Sequence, residues 1–276
     1  MSTKTFQFYP ISSGSCGNAT YVGYGSTHFL IDCGLSGRYI ENALKRINVT
    51  PASLSFILLT HSHKDHTCGI GVMARRYKIP VYATKGTWEI IEENASQIQP
   101  GKMPDGTKRS FTSDVPDIPE LPKDMEIYAF STPHDARDSV GYRISCDKCT
   151  AAFATDLGYI PLHVKAALLG SDIVLLESNH DIQMLKGGRY PEAMKKRILG
   201  NNGHLSNNQA GIFAGELVAS GTKTLYLGHL SHENNTPDLA YNTVRNELKR
   251  KDVNPDKDLE LLIALRAIPS RPTLRT

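Results

Sequence analysis

Residues 60–66 read Thr-His-Ser-His-Lys-Asp-His, placing three imidazoles and a carboxylate within seven positions. Neutral imidazole with carboxylate suits zinc, manganese or iron, whereas calcium takes all-oxygen ligands. The preceding residues 54–59 form a short apolar run with β-propensity, long enough for a buried strand and too short for an independent helix. His61 and His63 then lie two apart at the strand's end, where an extended chain sends both rings to one side. Asp65 and His66 follow as the chain turns. Four donors on one loop can serve two cations.

The pattern His61-x-His63-x-Asp65-His66 resembles the signature of the metallo-β-lactamase superfamily. That resemblance implies an α/β fold, a four-layer αββα sandwich with a dinuclear metal site on one edge. Many chemistries share this fold, so the rest of the chain must select among them.

The elements that would position further donors follow in order. A glycine-rich loop at 11–18 separates two strands and offers backbone N–H groups as an anion nest, with Ser13, Ser15 and Asn18 as candidate substrate contacts. A strand ending at Asp32 matches the superfamily's first motif, and such an Asp holds a metal-bound histidine by its second ring nitrogen. Helical periodicity covers 38–47, and a short helix is expected over 69–77 before a strand at 80–83. Residues 85–98 read as helix. The proline-bearing stretch 100–122 reads as loop and hairpin.

Strands ending near 130, 154 and 228 deliver His134, Asp156 and His229. Within the resemblance, His61, His63 and His134 hold one metal; Asp65, His66 and His229 hold the other; Asp156 bridges them, at about 3.5 to 4 Å separation. A water shared by two cations is deprotonated near neutral pH and attacks phosphorus in line, with Asp65 also able to orient it.

Between the last two of these strands lies a segment rich in Lys186, Arg189, Lys195, Lys196 and Arg197, with His180 and His204 at its ends. Lys195 and Arg197 are candidate phosphate contacts. His180 and His204 are candidates for phosphate contact or leaving-group protonation. Pro191 suits the first turn of a helix stopping at Gly200, and Ser206 with Gln209 forms a capping box. Cys146-x-x-Cys149 has no second pair to complete a zinc site and reads as flanking a turn.

Seven further stretches, among them Thr132-Pro-His-Asp-Ala136, Glu177-Ser-Asn-His-Asp181 and Gly203-His-Leu-Ser-Asn207, resemble the YycJ (WalJ) family of bacterial metallo-β-lactamase-fold proteins over nearly the whole chain. This implies a metal-dependent 5′ to 3′ DNA exonuclease, with DNA as substrate. One departure is Cys16, where a serine is expected in the glycine-rich loop. Hydrolysis of a small ester, thioester or lactone in the same site is the competing enzyme reading. A metal-binding regulator without turnover is a third.

Composition is that of an ordinary globular chain, 40% hydrophobic and 21% charged over 276 residues, with no run near the roughly 20 apolar residues that span a bilayer. Residues 1–276 read as one domain with a flexible basic tail from about 267. The start carries no secretory apolar segment, and five irregularly spaced cysteines favour a reducing cytoplasm. A net charge of +3 permits a polyanionic substrate without requiring one. Nothing in the sequence selects an oligomeric state.

Overall fold

The computed structural model describes residues 4–94, 103–112, 114–255, 257–266 and 268–276. The first sheet contains β1 (Phe6–Ser12), β2 (Ala19–Tyr24), β3 (Thr27–Ile31), β4 (Phe56–Leu58), β5 (Val81–Thr84) and β6 (Lys108–Phe111), joined at its edge by β13 (Thr273–Arg275). The second is built of β7 (Met125–Ser131), β8 (Val140–Cys146), β9 (Cys149–Ala154), β10 (Ile173–Glu177), β11 (Thr224–Gly228) and β12 (Glu260–Ile263).

Side chains alternate across each strand, and both faces are covered, so the central strands read as continuous apolar runs. Phe29, Ile31, Phe56 and Leu58 point between the sheets and meet Tyr142, Leu175 and Tyr226. Their neighbours Leu30 and Ile57 face outward, under α1 (Gly37–Arg46), α3 (Ile70–Tyr77) and α4 (Lys85–Glu93). In β10, Val174 and Leu176 likewise face α5 (Leu162–Leu168), α8 (Asn207–Ala219) and α9 (Pro237–Arg250). Helix, sheet, sheet, helix is the four-layer order expected from the resemblance. No helix among the described residues is long and apolar enough to cross a membrane.

Strand direction gathers the site. β3 and β4 are parallel, as are β9, β10 and β11. β7 pairs antiparallel with β8, and β8 antiparallel with β9, so β7 runs with β9. The chain after each strand therefore leaves on a common edge. Caps fix the helices that follow: Ser206 and Gln209 form the reciprocal capping box of α8, and Thr236 caps α9 ahead of Pro237.

Three expectations change. The tail is an ordered edge strand from Thr273 to Arg275, because β1 offers an unpaired edge and the Tyr226 hydroxyl donates to Arg271 O at 2.7 Å. Residues 108–111 form no hairpin; β6 adds parallel to β5 and buries Phe111 in the inter-sheet core. Helix α4 ends at Glu93, with Thr84 accepting from Thr87 N as its cap. Positions 95–98 of the expected helix and 100–102 and 113 of the expected loop lie outside the described residues, as does residue 267 of the tail.

Candidate metal centre

Each proposed donor sits just past a strand or in the turn that follows. After β4, the chain passes through Thr60 and His61 into the one-turn helix α2 (Lys64–Thr67), which carries Asp65 and His66. His61 Nε2 lies 3.0 Å from His63 Nδ1, and His134 Nε2 lies 3.4 Å from the same atom. Three rings thus converge on one point. In the neighbouring group, Asp65 Oδ2 lies 3.5 Å from His66 Nε2 and 3.7 Å from His229 Nε2. Asp156 spans the two groups: Oδ2 is 3.4 Å from His66 Nε2, and Oδ1 is 3.7 Å from His134 Nε2.

Two buried carboxylates hold the far nitrogens of the two rings in the second group. Asp32 Oδ2 is 2.7 Å from His66 Nδ1, and its other oxygen accepts from Thr60 N at 2.8 Å. Glu177 Oε1 is 2.7 Å from His229 Nδ1 and 2.8 Å from His204 Nδ1, while Oε2 accepts from Leu157 N and Leu205 N. Such partners fix the ring orientation of a metal ligand and raise its basicity. Glu177 carries no assigned role in the sequence reading. Its signal was an apolar strand ending in a carboxylate, the pattern already visible at Asp32.

Asp32, Asp156 and His229 adopt left-handed backbone at φ 61°, 61° and 55°. Asp and His tolerate this region better than most residues, yet each still costs of order 1–3 kcal/mol. The strain turns each side chain sharply off its strand end and into the edge.

Electrostatics separate the two groups. Burial lowers His61 well below the usual imidazole value, and the neighbouring His66, His63 and His134 rings push the same way. Burial also lowers His63 and His134. It acts downward on His66 and His229 too, but is outweighed: Asp32, Asp65 and Asp156 carry His66 well up, and Asp156, Asp65 and Glu177 carry His229 to about 10. Burial would raise Glu177, but His204 and His229 hold it below the ordinary carboxylate range.

The donors fit a divalent cation. Asp156 Oδ2 and His229 Nε2 are buried without a hydrogen-bond partner among the described residues. Leaving such atoms unsatisfied costs about 1–3 kcal/mol each. His61, His63 and His134 form one set of mutually close donors, and Asp65, His66 and His229 another.

A cavity of about 250 Å³ opens over these groups, lined by Ser15, His63, Asp65, Asp156, His204 and Arg197 among others. Arg197, on α7 (Glu192–Leu199), donates from Nε to Asp135 Oδ2 at 2.5 Å, and Asp135 Oδ1 lies 3.3 Å from His134 Nε2. The other expected substrate contacts turn elsewhere. Ser13 is buried, and its hydroxyl accepts from His229 N at 2.8 Å. Asn18 is buried as well, with Nδ2 3.1 Å from Gly14 O and 3.0 Å from His66 Nε2. Both brace the centre rather than line the cavity, because buried polar groups must pair. Lys195 donates to Lys186 O at 2.8 Å and to Glu192 Oε1 at 3.0 Å. His180 is 1% exposed and absent from the cavity lining; a β-bridge to Ser206 sets it beneath the start of α8, and burial lowers it to about 4. Cys16 is exposed beside Ser15.

A β-lactamase superfamily domain model matches residues 27–230. Exodeoxyribonuclease YycJ of Bacillus anthracis is 37% identical over 254 residues, covering 92% of this chain and 93% of that protein. The chain belongs to the β-lactamase superfamily, in the YycJ/WalJ family. Exodeoxyribonuclease WalJ of Streptococcus pneumoniae is 36% identical over 266 residues, with 95% of each chain covered. The crystal structure of the metallo-β-lactamase fold protein YhfI from Bacillus subtilis superposes with a TM-score of 0.71 over 99% of this chain and 100% of that one, at 17% identity, which speaks to fold alone. This YycJ/WalJ-family chain is a hydrolase of the superfamily, with a site for divalent metal.

Proposed function

We propose that the chain, acting as a single domain, is a phosphodiesterase that uses two divalent cations, zinc or manganese with iron as a further option, to digest DNA from the 5′ end. The reading is carried by Asp156, whose buried carboxylate lies between the two donor groups in the lining of an open cavity, with Oδ2 3.4 Å from His66 Nε2 and Oδ1 3.7 Å from His134 Nε2 and 3.4 Å from His229 Nδ1. The names of the YycJ and WalJ relatives support DNA as substrate. When bound, the cations supply a water acidified to near-neutral pKa and positive charge against the phosphate oxygens.

The chain's own residues do the rest. Asp32 and Glu177 keep the Nδ1 atoms of His66 and His229 occupied, so that Nε2 of each ring points inward. Arg197, steadied by Asp135, stands at the rim to meet a phosphate oxygen, and Ser15 offers a hydroxyl from the opposite loop. Burial would lower His204, but Glu177 outweighs it and raises the ring above the usual imidazole value, which favours its protonated form. Its Nδ1 is held by Glu177, which leaves Nε2 to protonate the departing 3′ oxygen as the P–O bond breaks. Five cysteines fit a reducing compartment, and we assign the activity to the cytoplasm.

The test is digestion of DNA and RNA labelled at either end by the metal-loaded protein, with Asp65→Ala as control. Loss of label progressing from the 5′ end of DNA, absent in the variant, is the expected result. Turnover of a simple ester with both polymers left intact would overturn the reading.

A further inference from the structure

The metal cavity does not end at Arg197. Tyr190 lines it and also lines a second, larger cavity of about 720 Å³, shared with Gln183, Gly187, Gly188, Arg189 and Glu233. One aromatic ring therefore stands at the junction of the two spaces. We propose that this second groove holds single-stranded nucleotides next to the reacting phosphodiester, with Tyr190 stacking on a base and Arg189 pairing with a phosphate. The proposal rests on the nuclease reading and adds the path of the strand to it.

The groove is built from the turn between α6 (Ile182–Gly187) and α7, and that turn is held from both sides. Asp181 caps α6 by accepting from Gln183 N at 2.9 Å and Met184 N at 2.8 Å. Lys195 ties α7 back to Lys186 O, and Gly188 packs so closely on Asn234 that a Cβ would lie 2.7 Å from its side-chain oxygen. Gly187, by contrast, has nothing within 4 Å of where a Cβ would stand. A glycine facing open space lets a backbone approach closely.

Charge assigns the occupants of the two walls. Arg189 is exposed in the groove lining with no ion pair or hydrogen bond among the described residues, and Lys186 stands in the last turn of α6. Glu233, on the other side, would repel a phosphate but accepts readily from a base amine. Its carboxylate lies 3.0 Å from His232 Nδ1. A free guanidinium beside an aromatic ring is the pairing that binds single strands without reading sequence, since every base has a face to stack.

The experiment compares kcat/KM for a single-stranded deoxyoligonucleotide with that for the p-nitrophenyl ester of a single nucleotide. Tyr190→Ala should lower the oligonucleotide-to-ester ratio roughly 5- to 150-fold, the range of one lost base stack. Tyr190→Phe, which keeps the ring, should retain the ratio. Arg189→Ala should also lower it, and should flatten the salt dependence of log KM by about 0.7, the share of one phosphate on a single strand. An unchanged ratio and slope in both alanine variants, while the unmodified protein digests the oligonucleotide, would overturn the groove assignment alone. If the unmodified protein cleaves the ester and leaves the oligonucleotide intact, the nuclease reading fails, and the groove assignment fails with it.

Discussion

Glu177 Oε1 lies 2.7 Å from His229 Nδ1, and the same oxygen lies 2.8 Å from His204 Nδ1. One buried carboxylate thus orients a proposed metal donor and favours the protonated form of the ring assigned to the leaving group. Glu177→Gln keeps the shape and removes the charge. Metal affinity should fall about 10- to 100-fold. The alkaline limb of the pH–rate profile should also move to lower pH, as His204 loses the charge that raises it. Asp32→Asn, which touches His66 but not His204, should weaken metal binding without that shift. An alkaline limb that stays in place in Glu177→Gln would remove His204 from the proton step.

Proton release should distinguish the two donor groups. Near neutral pH the lowered His61, His63 and His134 rings are neutral and accept a cation directly. The raised His66 and His229 rings must first lose a proton. Calorimetric titration of metal-stripped protein in two buffers of different ionisation heat should therefore show proton release on filling one group only.

The same shift governs the metal-stripped protein's stability. His229 rises from 6.5 to about 10 on folding, so its contribution is fully present below pH 6.5 and is lost as pH rises toward 10. Melting temperature should decline across that window and hold steadier in the metal-loaded protein. A flat profile for the stripped protein would contradict the assignment.

Among the basic residues, Arg197 and Lys195 should separate. Arg197 lines the cavity, and a hydrogen bond to a charged group contributes about 1.5–3 kcal/mol, so Arg197→Ala should raise KM for DNA at least tenfold. Lys195 is engaged with Lys186 O and Glu192 rather than facing the cavity, so Lys195→Ala should raise KM less than Arg197→Ala does, through a loosened α6–α7 turn. Equal effects from the two would place the phosphate path elsewhere.

Phe56 stacks on Phe29 at 4.5 Å and meets Tyr82 edge-on at 5.9 Å in the strand that leads to His61. Phe56→Ala should cost about 3–5 kcal/mol in denaturant unfolding. A loss below 1 kcal/mol would mean that the inter-sheet core is not shared as described.

The donors themselves were legible because they stand in one short loop or directly after apolar strands, positions that local sequence specifies. Strand direction then brings them to one edge, which accounts for why residues as distant as His61 and His229 could be named together. Roles that depend on which way a polar side chain turns were not legible. Ser13 and Asn18 sit in a loop suited to an anion, yet burial makes them satisfy His229 N and Gly14 O instead. The pairing of Thr273–Arg275 with β1 was hidden for the same reason, since an edge strand depends on a distant partner rather than on its own residues.

The proposed pair of cations, which Asp156 would help to hold, is tested most directly by restoring metal stepwise to stripped protein while measuring bound metal and 5′ end digestion together. Digestion that stays near zero through the first equivalent and rises across the second, with Asp156→Ala failing to retain two, is the predicted result. Full digestion at a single bound equivalent would contradict it.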